Sequence, residues 1–527
     1  MPPKKDEEGK ILNDDKGDAY KVHLCKTDVS MNSNKFYDME FFDRNSSNQY
    51  TVKMINGRIG YNGVTHLKQF SDLEKAKEFF HKKFTEKTSL EWEQRNGTPV
   101  PGKYVIVKLA NPEVADLGVE EEKPDTSRSS RRRKKQPDED DELAEKIHNL
   151  IKIICDEDAH LGLLKKLKYN EEFGKPLDCL SIEQLDVGYQ ILKEIEDYIT
   201  ARINAEATAA AATATVKLTM SMRRSGRKPM IRPPPAYPAS MTNITNKYYS
   251  LIPHSFGFSI PPKIDSLYKI QQEKELLDAL RGTIQTALNV KKAKKLDPEK
   301  SIYYRLYNEL PCTLELVDND VAALIAECLK FRAPTHYYAL HLMNAYEVKK
   351  KIVGDVPFKK KRIKTEKMLL WHGTRVTNVF SILMNGLEMP RGPRGDLMFG
   401  NGIYFANVPT KSANYCKPDD EGRAFLLLCE VDIHNPLVVY ESDTLAHNRM
   451  IAAGNGIVFA AGRQSPSELM EIQGVPIYKG GLQENCDKLS ELMYDEYVVY
   501  DREKFFIKYV IEMRLEKLKM EEIMAHC

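Results

Sequence analysis

Three groups of residues in the last third of this 527-residue chain have types and spacing suited to chemistry. His372, Gly373 and Thr374 follow the apolar run MLLW at 368–371, which sets a polar triplet at the end of an expected strand. A glycine there lets a flat ligand approach the backbone and bond to its N–H and C=O. Gly400 and Gly402 flank the start of a second run carrying Tyr404, and KSANY at 411–415 supplies Ser412 and Tyr415. Glu496 lies within YDEYVVY at 494–500, where alternation puts it on the face opposite Tyr497. A lone carboxylate bordered by aromatic strand residues is a candidate site group, and composition alone names no substrate for it.

Each feature also has a structural reading. A histidine after a tryptophan is about as often a hydrogen-bonded structural residue. Tyr404 and Tyr415 suit a core or an interface, and Gly400 and Gly402 suit a hairpin. GNG is neither a GxGxxG dinucleotide fingerprint nor part of a GxxxxGK[ST] loop, which argues against a Rossmann dehydrogenase and a P-loop ATPase. Nine cysteines, none in a CxxC pair, indicate neither a zinc site nor a disulfide framework.

The elements that must position these residues are legible as patterns. Over 15–110, short runs such as YTVKMI at 50–55 are bounded by turn residues, and 72–85 spaces its apolar residues at helical intervals. That predicts an antiparallel sheet with one packed helix. The segment 111–142 is charged and nearly free of apolar residues, which predicts a disordered basic/acidic linker. From 143 to 348 the apolar period is helical. Ile147, Leu150, Ile151 and Ile154 share a face, and Ser181 with Gln184 forms a capping box. An insertion over about 205–240 is Ala-rich, then basic and Pro-rich. The remainder is strand-rich and Gly-punctuated, with a helix expected over 376–385. The N-terminus has no apolar core after its lysines and no segment reaches the roughly 20 apolar residues of a membrane span, so a soluble intracellular protein is expected. A net charge of +2 hides basic clusters at 131–135, 223–232 and 359–362, which suit nucleic-acid binding, and the SRSSRRRKKQP piece around the first suits nuclear import.

LLWHGTR, FGNGIYFANVPTKSANYC and YDEYVVYD closely resemble the catalytic domain of DNA-dependent poly(ADP-ribose) polymerases, in the family's order. IHNLIKIICD, LSIEQLDVGYQILKEIEDYI, NKYYSLIPHSFG, ELLDAL and APTHYYALHL resemble the family's helical regulatory domain, and 15–110 resembles its WGR domain. The resemblance implies a multidomain α+β chain. A tail at 1–14 precedes a small antiparallel-sheet WGR-like domain over 15–110. An all-helical regulatory domain over 143–348 and a mixed strand-rich ADP-ribosyltransferase catalytic domain over 349–527 follow. It further implies NAD as co-substrate and no metal. His372, helped by Thr374 and Asn378, would bond the adenosine ribose. Gly373 and Ser412 would bond the nicotinamide carboxamide, while Tyr415 stacks on the ring and Tyr404 packs across it. Glu496 would bond the nicotinamide-ribose hydroxyl and orient the acceptor as nicotinamide leaves an oxocarbenium-like centre. Tyr494 and Met398 fall on the acceptor side.

The chain departs from the family at several positions. Asn56 stands where the WGR tryptophan is expected, leaving Arg58 for a phosphate or an interdomain contact. Glu388 replaces an arginine and Leu397 a tyrosine beside the NAD site. In the regulatory region Asp278 matches an acidic position, while Gly282 replaces a second one and implies looser autoinhibition. The resulting expectation is a nuclear polymerase activated by DNA ends or nicks. It would modify itself and other proteins, with an accessory protein able to redirect acceptor choice. A mono-ADP-ribosyltransferase and a silent DNA-end-binding scaffold are the alternatives.

Overall fold

The computed structural model describes residues 9–44, 49–109, 139–167, 180–220, 239–296, 300–351, 366–390, 397–419, 421–485 and 490–518. They form two compact units, one from 1–131 with 160–284 and one from 132–159 with 285–527. The basic clusters at 131–135 and 359–362, and the basic and Pro-rich part of the expected insertion, lie outside the described residues.

In the first unit, β1 (Lys10–Ile11), β2 (Lys21–Asp28), β3 (Ser33–Arg44), β4 (Gln49–Arg58), β5 (Val64–Phe70) and β6 (Val105–Leu109) make one sheet. Its order is β5-β4-β3-β2-β6 with β1 on β3, and every pairing is antiparallel. The helix α1 (Leu73–Thr88) starts where Asp72 accepts the Lys75 N–H at 3.0 Å and stops at Ser89 in the left-handed region. Its Ala76, Phe80 and Phe84 join Leu24, Met39, Phe41 and Trp92 in one core. Cys25 and Phe36 face the other way along the pleat, into the helical core.

The helical stretch contains α2 (Glu139–Ile154), α3 (Glu157–Lys166), α4 (Ile182–Met220), α5 (Ala239–Leu251), α6 (Leu267–Lys294) and α7 (Ile302–Glu309). The capping box is formed reciprocally: Gln184 N–H donates to Ser181 Oγ at 3.3 Å, and Ser181 N–H to Gln184 Oε1 at 3.0 Å. Leu185, Leu192 and Ile195 of α4 share a core with Leu276, Leu277 and Leu280 of α6. Within it Lys274 donates to Glu196 at 2.9 Å, both buried. Asp278 accepts from the Tyr189 hydroxyl, and Gly282 is buried one turn further along α6.

The second unit is built on two sheets. The strands are β7 (Cys312–Leu316), β8 (Tyr338–Lys350), β9 (Lys367–Thr374), β10 (Ile403–Phe405), β11 (Arg423–Asp432), β12 (Pro436–Val439), β13 (Ile457–Ala460), β14 (Gln464–Ile472), β15 (Val475–Glu484), β16 (Glu496–Val499) and β17 (Phe505–Lys517). Seven run in the order β14-β15-β9-β11-β17-β8-β7, and four in the order β10-β16-β13-β12. Pairings β12 with β13 and β15 with β9 are parallel. The intervening helices are α8 (Asn319–Leu329), α9 (Val376–Asn385), α10 (Pro409–Ala413) and α11 (Ala446–Ala453).

The helical reading up to 348 needs correction. β8 is hydrogen-bonded to β17 along its length, and β7 to β8, so the sheet begins at Cys312. Only Leu340, Ala345 and Tyr346 of β8 are buried, and that sparse pattern carries no clear period of two. β9 and β11 are covered on both faces, which explains their continuous apolar runs: Leu370, Phe425 and Leu427 enter one core, while Leu369, Trp371, Leu426 and Leu428 enter the other.

Cys25, Cys155, Cys312, Cys328, Cys416 and Cys429 form no disulfide and are buried. Burial pushes the thiol of Cys312 up to about 11 and those of Cys328 and Cys416 up to about 12. Among the described residues no helix is long and apolar enough to cross a membrane, and no His, Cys, Asp and Glu group could hold a metal ion.

Candidate active site

The end of β9 is fastened on two sides. Trp371 N–H donates to Ala406 O at 2.8 Å, and Ala406 N–H returns to Trp371 O at 3.0 Å. The Ser412 hydroxyl also donates to Trp371 O, at 2.9 Å. His372 Nδ1 lies 2.9 Å from Tyr404 O. A carbonyl only accepts, so Nδ1 carries the proton. Burial lowers the pKa of His372, which keeps the ring neutral and leaves Nε2 as an acceptor.

Gly373 has no alternative residue here. A β-carbon built on it would stand 1.8 Å from Ser412 O and 3.3 Å from Tyr415 Cβ. The Gly373 backbone is therefore packed directly against Ser412 of α10, with Tyr415 beside it. Tyr415 as a whole residue is 64% exposed. Thr374 is buried and pairs with Phe425 across the β9–β11 ladder. Asn378, in the first turn of α9, is half-buried, with its N–H on Arg375 O at 3.0 Å.

Tyr404 lies on β10, whose partner β16 begins with Glu496. Its phenol folds back on the preceding turn, accepting the Phe399 N–H at 3.0 Å and donating to Gly400 O at 2.9 Å. Met398 in that turn offers its carbonyl to Asp443 N–H at 2.8 Å and to Ser442 Oγ–H at 3.2 Å. Glu496 Oε1 is 2.8 Å from the Lys411 ammonium, which also donates to Tyr494 O at 2.8 Å and Asp495 O at 3.1 Å. Burial lowers the Lys411 pKa, against the upward pull of Glu496 and Asp495.

Reading the sequence singled out Glu496 but not what holds it. Asp495 is buried and accepts from Gly462 N–H at 2.8 Å, Ser465 Oγ at 2.6 Å and Asn407 Nδ2 at 2.7 Å. This fixes the backbone where β16 begins at Glu496. Tyr494, expected on the acceptor side, is buried, with its hydroxyl 2.6 Å from Thr335 Oγ1. Its side chain is thus tied to the segment between α8 and β8. His336, also missed, lies 2.8 Å from Thr410 Oγ1, and its Nε2 is 3.2 Å from Asn414 Nδ2. The only sequence signal for Lys411 was its place in KSANY.

Arg58 belongs to the first unit. Its guanidinium donates to Gly257 O at 2.6 Å, Asn32 O at 2.9 Å and Ser259 O at 3.2 Å. These partners belong to the β2–β3 turn and to the loop after α5, so its fork is turned to protein carbonyls.

Three family models match the chain: the WGR domain over 20–99, the poly(ADP-ribose) polymerase regulatory domain over 142–307, and the poly(ADP-ribose) polymerase catalytic domain over 319–515. Poly [ADP-ribose] polymerase 2 of Caenorhabditis elegans is 48% identical over 553 residues, covering 98% of this chain and 100% of the relative. Poly [ADP-ribose] polymerase 2 of Homo sapiens is 29% identical over 518 residues, covering 95% of this chain and 81% of that protein. The Drosophila melanogaster poly [ADP-ribose] polymerase is 27% identical, and the match covers 46% of its length. With its architecture and its matched domains in agreement, the chain belongs to the poly(ADP-ribose) polymerase family and is an NAD-dependent ADP-ribosyltransferase.

Proposed function

We propose that the space bounded by Gly373, Ser412 and Tyr415 takes the nicotinamide end of NAD and that Glu496 directs the transfer. The carrying observation is the backbone cradle at Gly373, packed so closely on Ser412 that a β-carbon would stand 1.8 Å from Ser412 O, with Lys411 next to Ser412 in the chain and in an ion pair with Glu496. A flat carboxamide fits such a cradle because the main chain presents both a donor and an acceptor. NAD supplies the ADP-ribose and the bond to nicotinamide that breaks. Tyr415 offers its exposed ring for stacking, and Tyr404 closes the slot from the side of β10. Neutral His372 accepts a ribose hydroxyl at Nε2, aided by Thr374 and Asn378. Glu496, held by Lys411, accepts a hydrogen bond from the sugar hydroxyl and orients the incoming acceptor hydroxyl.

The enzyme makes poly(ADP-ribose) in DNA-damage signalling and engages DNA and protein acceptors. Within this reading the chain modifies itself as well as other proteins, responds to both ends and nicks, and resides in the nucleus. An accessory protein redirects its acceptor choice, and Gly282 gives it measurable DNA-independent activity. The test is incubation with labelled NAD, with and without nicked or blunt 5′-phosphorylated DNA, using wild type and Glu496→Gln. A DNA-stimulated high-mass smear that collapses to a single increment in the variant is the expected result. A single discrete band in wild type would replace polymer synthesis by mono-transfer. No nicotinamide release under any condition would overturn the assignment.

A further inference from the structure

The turn that orients Tyr404 is held by a second tyrosine, Tyr500. Tyr500 Oη donates to Phe399 O at 2.5 Å, while the N–H of the same residue donates to the Tyr404 hydroxyl. The Phe399 backbone is thus gripped at both ends by phenols. Phe399 itself is fully buried among Val439, Ala446, Val458 and Val498. Gly400, at φ +80°, sits so close to the 442–447 segment that a β-carbon would lie 3.1 Å from Thr444 O. The Tyr500 ring is in turn stacked on His447 of α11, with ring centres 4.2 Å apart and planes at 9°. Beside them a β-carbon on Gly402 would lie 2.4 Å from Val498 Cγ1 and 3.0 Å from Tyr500 Cε1, so the turn has no slack on that side.

Tyr500 follows β16, the strand that begins with Glu496. One short segment therefore carries both the carboxylate and the hydroxyl that holds the Tyr404 turn. We infer that Tyr500 and His447 are positioning residues that set the width of the nicotinamide slot by fixing Tyr404. This rests on the reading that the slot lies between Tyr404 and Tyr415. Side chains that hold a binding wall in place without touching the reacting atoms act on ligand affinity more than on the chemical step. Tyr500→Phe removes the hydrogen bond and keeps the stack, whereas His447→Ala removes the stack and keeps the hydrogen bond.

The experiment measures KM for NAD and kcat by nicotinamide release, Kd for benzamide as a probe of the slot, and Tm, on the full chain with activating DNA. Tyr500→Phe should raise KM and the benzamide Kd together by about three- to ten-fold with kcat nearly unchanged, the range expected for one hydrogen bond. His447→Ala should move the same two constants in the same direction. Tyr415→Ala is measured alongside. If Tyr415→Ala weakens benzamide while both Tyr500→Phe and His447→Ala leave it unchanged, the positioning inference is wrong and the slot stands. If Tyr415→Ala has no effect on benzamide, the slot lies elsewhere and the inference falls with it. A fall in kcat and Tm with KM and the benzamide Kd constant would reduce the pair to a structural role and overturn the proposal.

Discussion

Lys411 and Glu496 form a mostly buried ion pair at 2.8 Å whose cation is simultaneously bonded to the carbonyls of Tyr494 and Asp495, the two residues preceding the carboxylate. The ammonium therefore fixes the strand entry and the side chain at once. A lone lysine–glutamate contact would fix only the latter.

Lys411→Met should uncouple the carboxylate from its backbone. Loss of one partner of a buried charged hydrogen bond costs about 1–3 kcal/mol of stability. Polymer formation should fall by roughly 100-fold, the scale for losing one preorganised electrostatic group. Gel analysis of products and a thermal melt separate the two effects. Unchanged chain length in the variant would show that Glu496 needs no cation.

Gly373→Ala places a methyl group where Ser412 O already stands. Either β9 or α10 must move, at a cost of about 1–3 kcal/mol for overpacking. NAD binding should be lost before folding is. The readout is benzamide affinity beside the thermal midpoint, and retained affinity would remove the cradle from the binding site.

His372 predicts a pH dependence with a definite sign. Its folded pKa lies below the ordinary histidine value because burial penalises the charged ring. Below about pH 6.5 the unfolded chain binds this proton more readily than the folded one. Stability associated with His372 is therefore complete above that pH and is lost as pH falls through the depressed folded value. His336, lowered by burial and by Lys411, contributes in the same direction. Thermal midpoints measured downward from neutral pH should drop less steeply for His372→Gln than for wild type. Activity should fall in the same window, because a protonated Nε2 no longer accepts a hydrogen bond.

Arg58 joins the β2–β3 turn to the loop after α5 through three carbonyls. Arg58→Ala should leave those acceptors unsatisfied and reduce the ratio of DNA-stimulated to basal nicotinamide release. Arg58→Lys restores the charge without the planar fork and should not restore the ratio. Equal ratios for the lysine variant and wild type would assign the effect to charge alone.

Much of the local structure was legible in the sequence. The Ser181–Gln184 box, the helix after Asp72 and the helix Val376–Asn385 each depend on residues within one or two turns. β8 was not legible, because its place is set by pairing with β17, and its own exposure pattern lacks alternation. The site was visible as motifs but not as a mechanism of support. Lys411 and Asp495 are 84 residues apart, and Asn407 and Asp495 are 88 apart. Such partners are found only when β10 and β16 are laid side by side. Arg58 likewise could be a phosphate ligand or a structural clasp until its carbonyl partners were located.

The buried cysteines have a consequence for the conditions under which a damage signal must be sent. Oxidants that break DNA also attack thiols, and they attack the thiolate form. Cys416 stands one residue beyond Tyr415 at the slot, yet its sulfur is fully enclosed and its proton is retained, with the pKa pushed to about 12. The described cysteines share that enclosure. The described cysteines are thus held as enclosed thiols, the form that oxidants attack least.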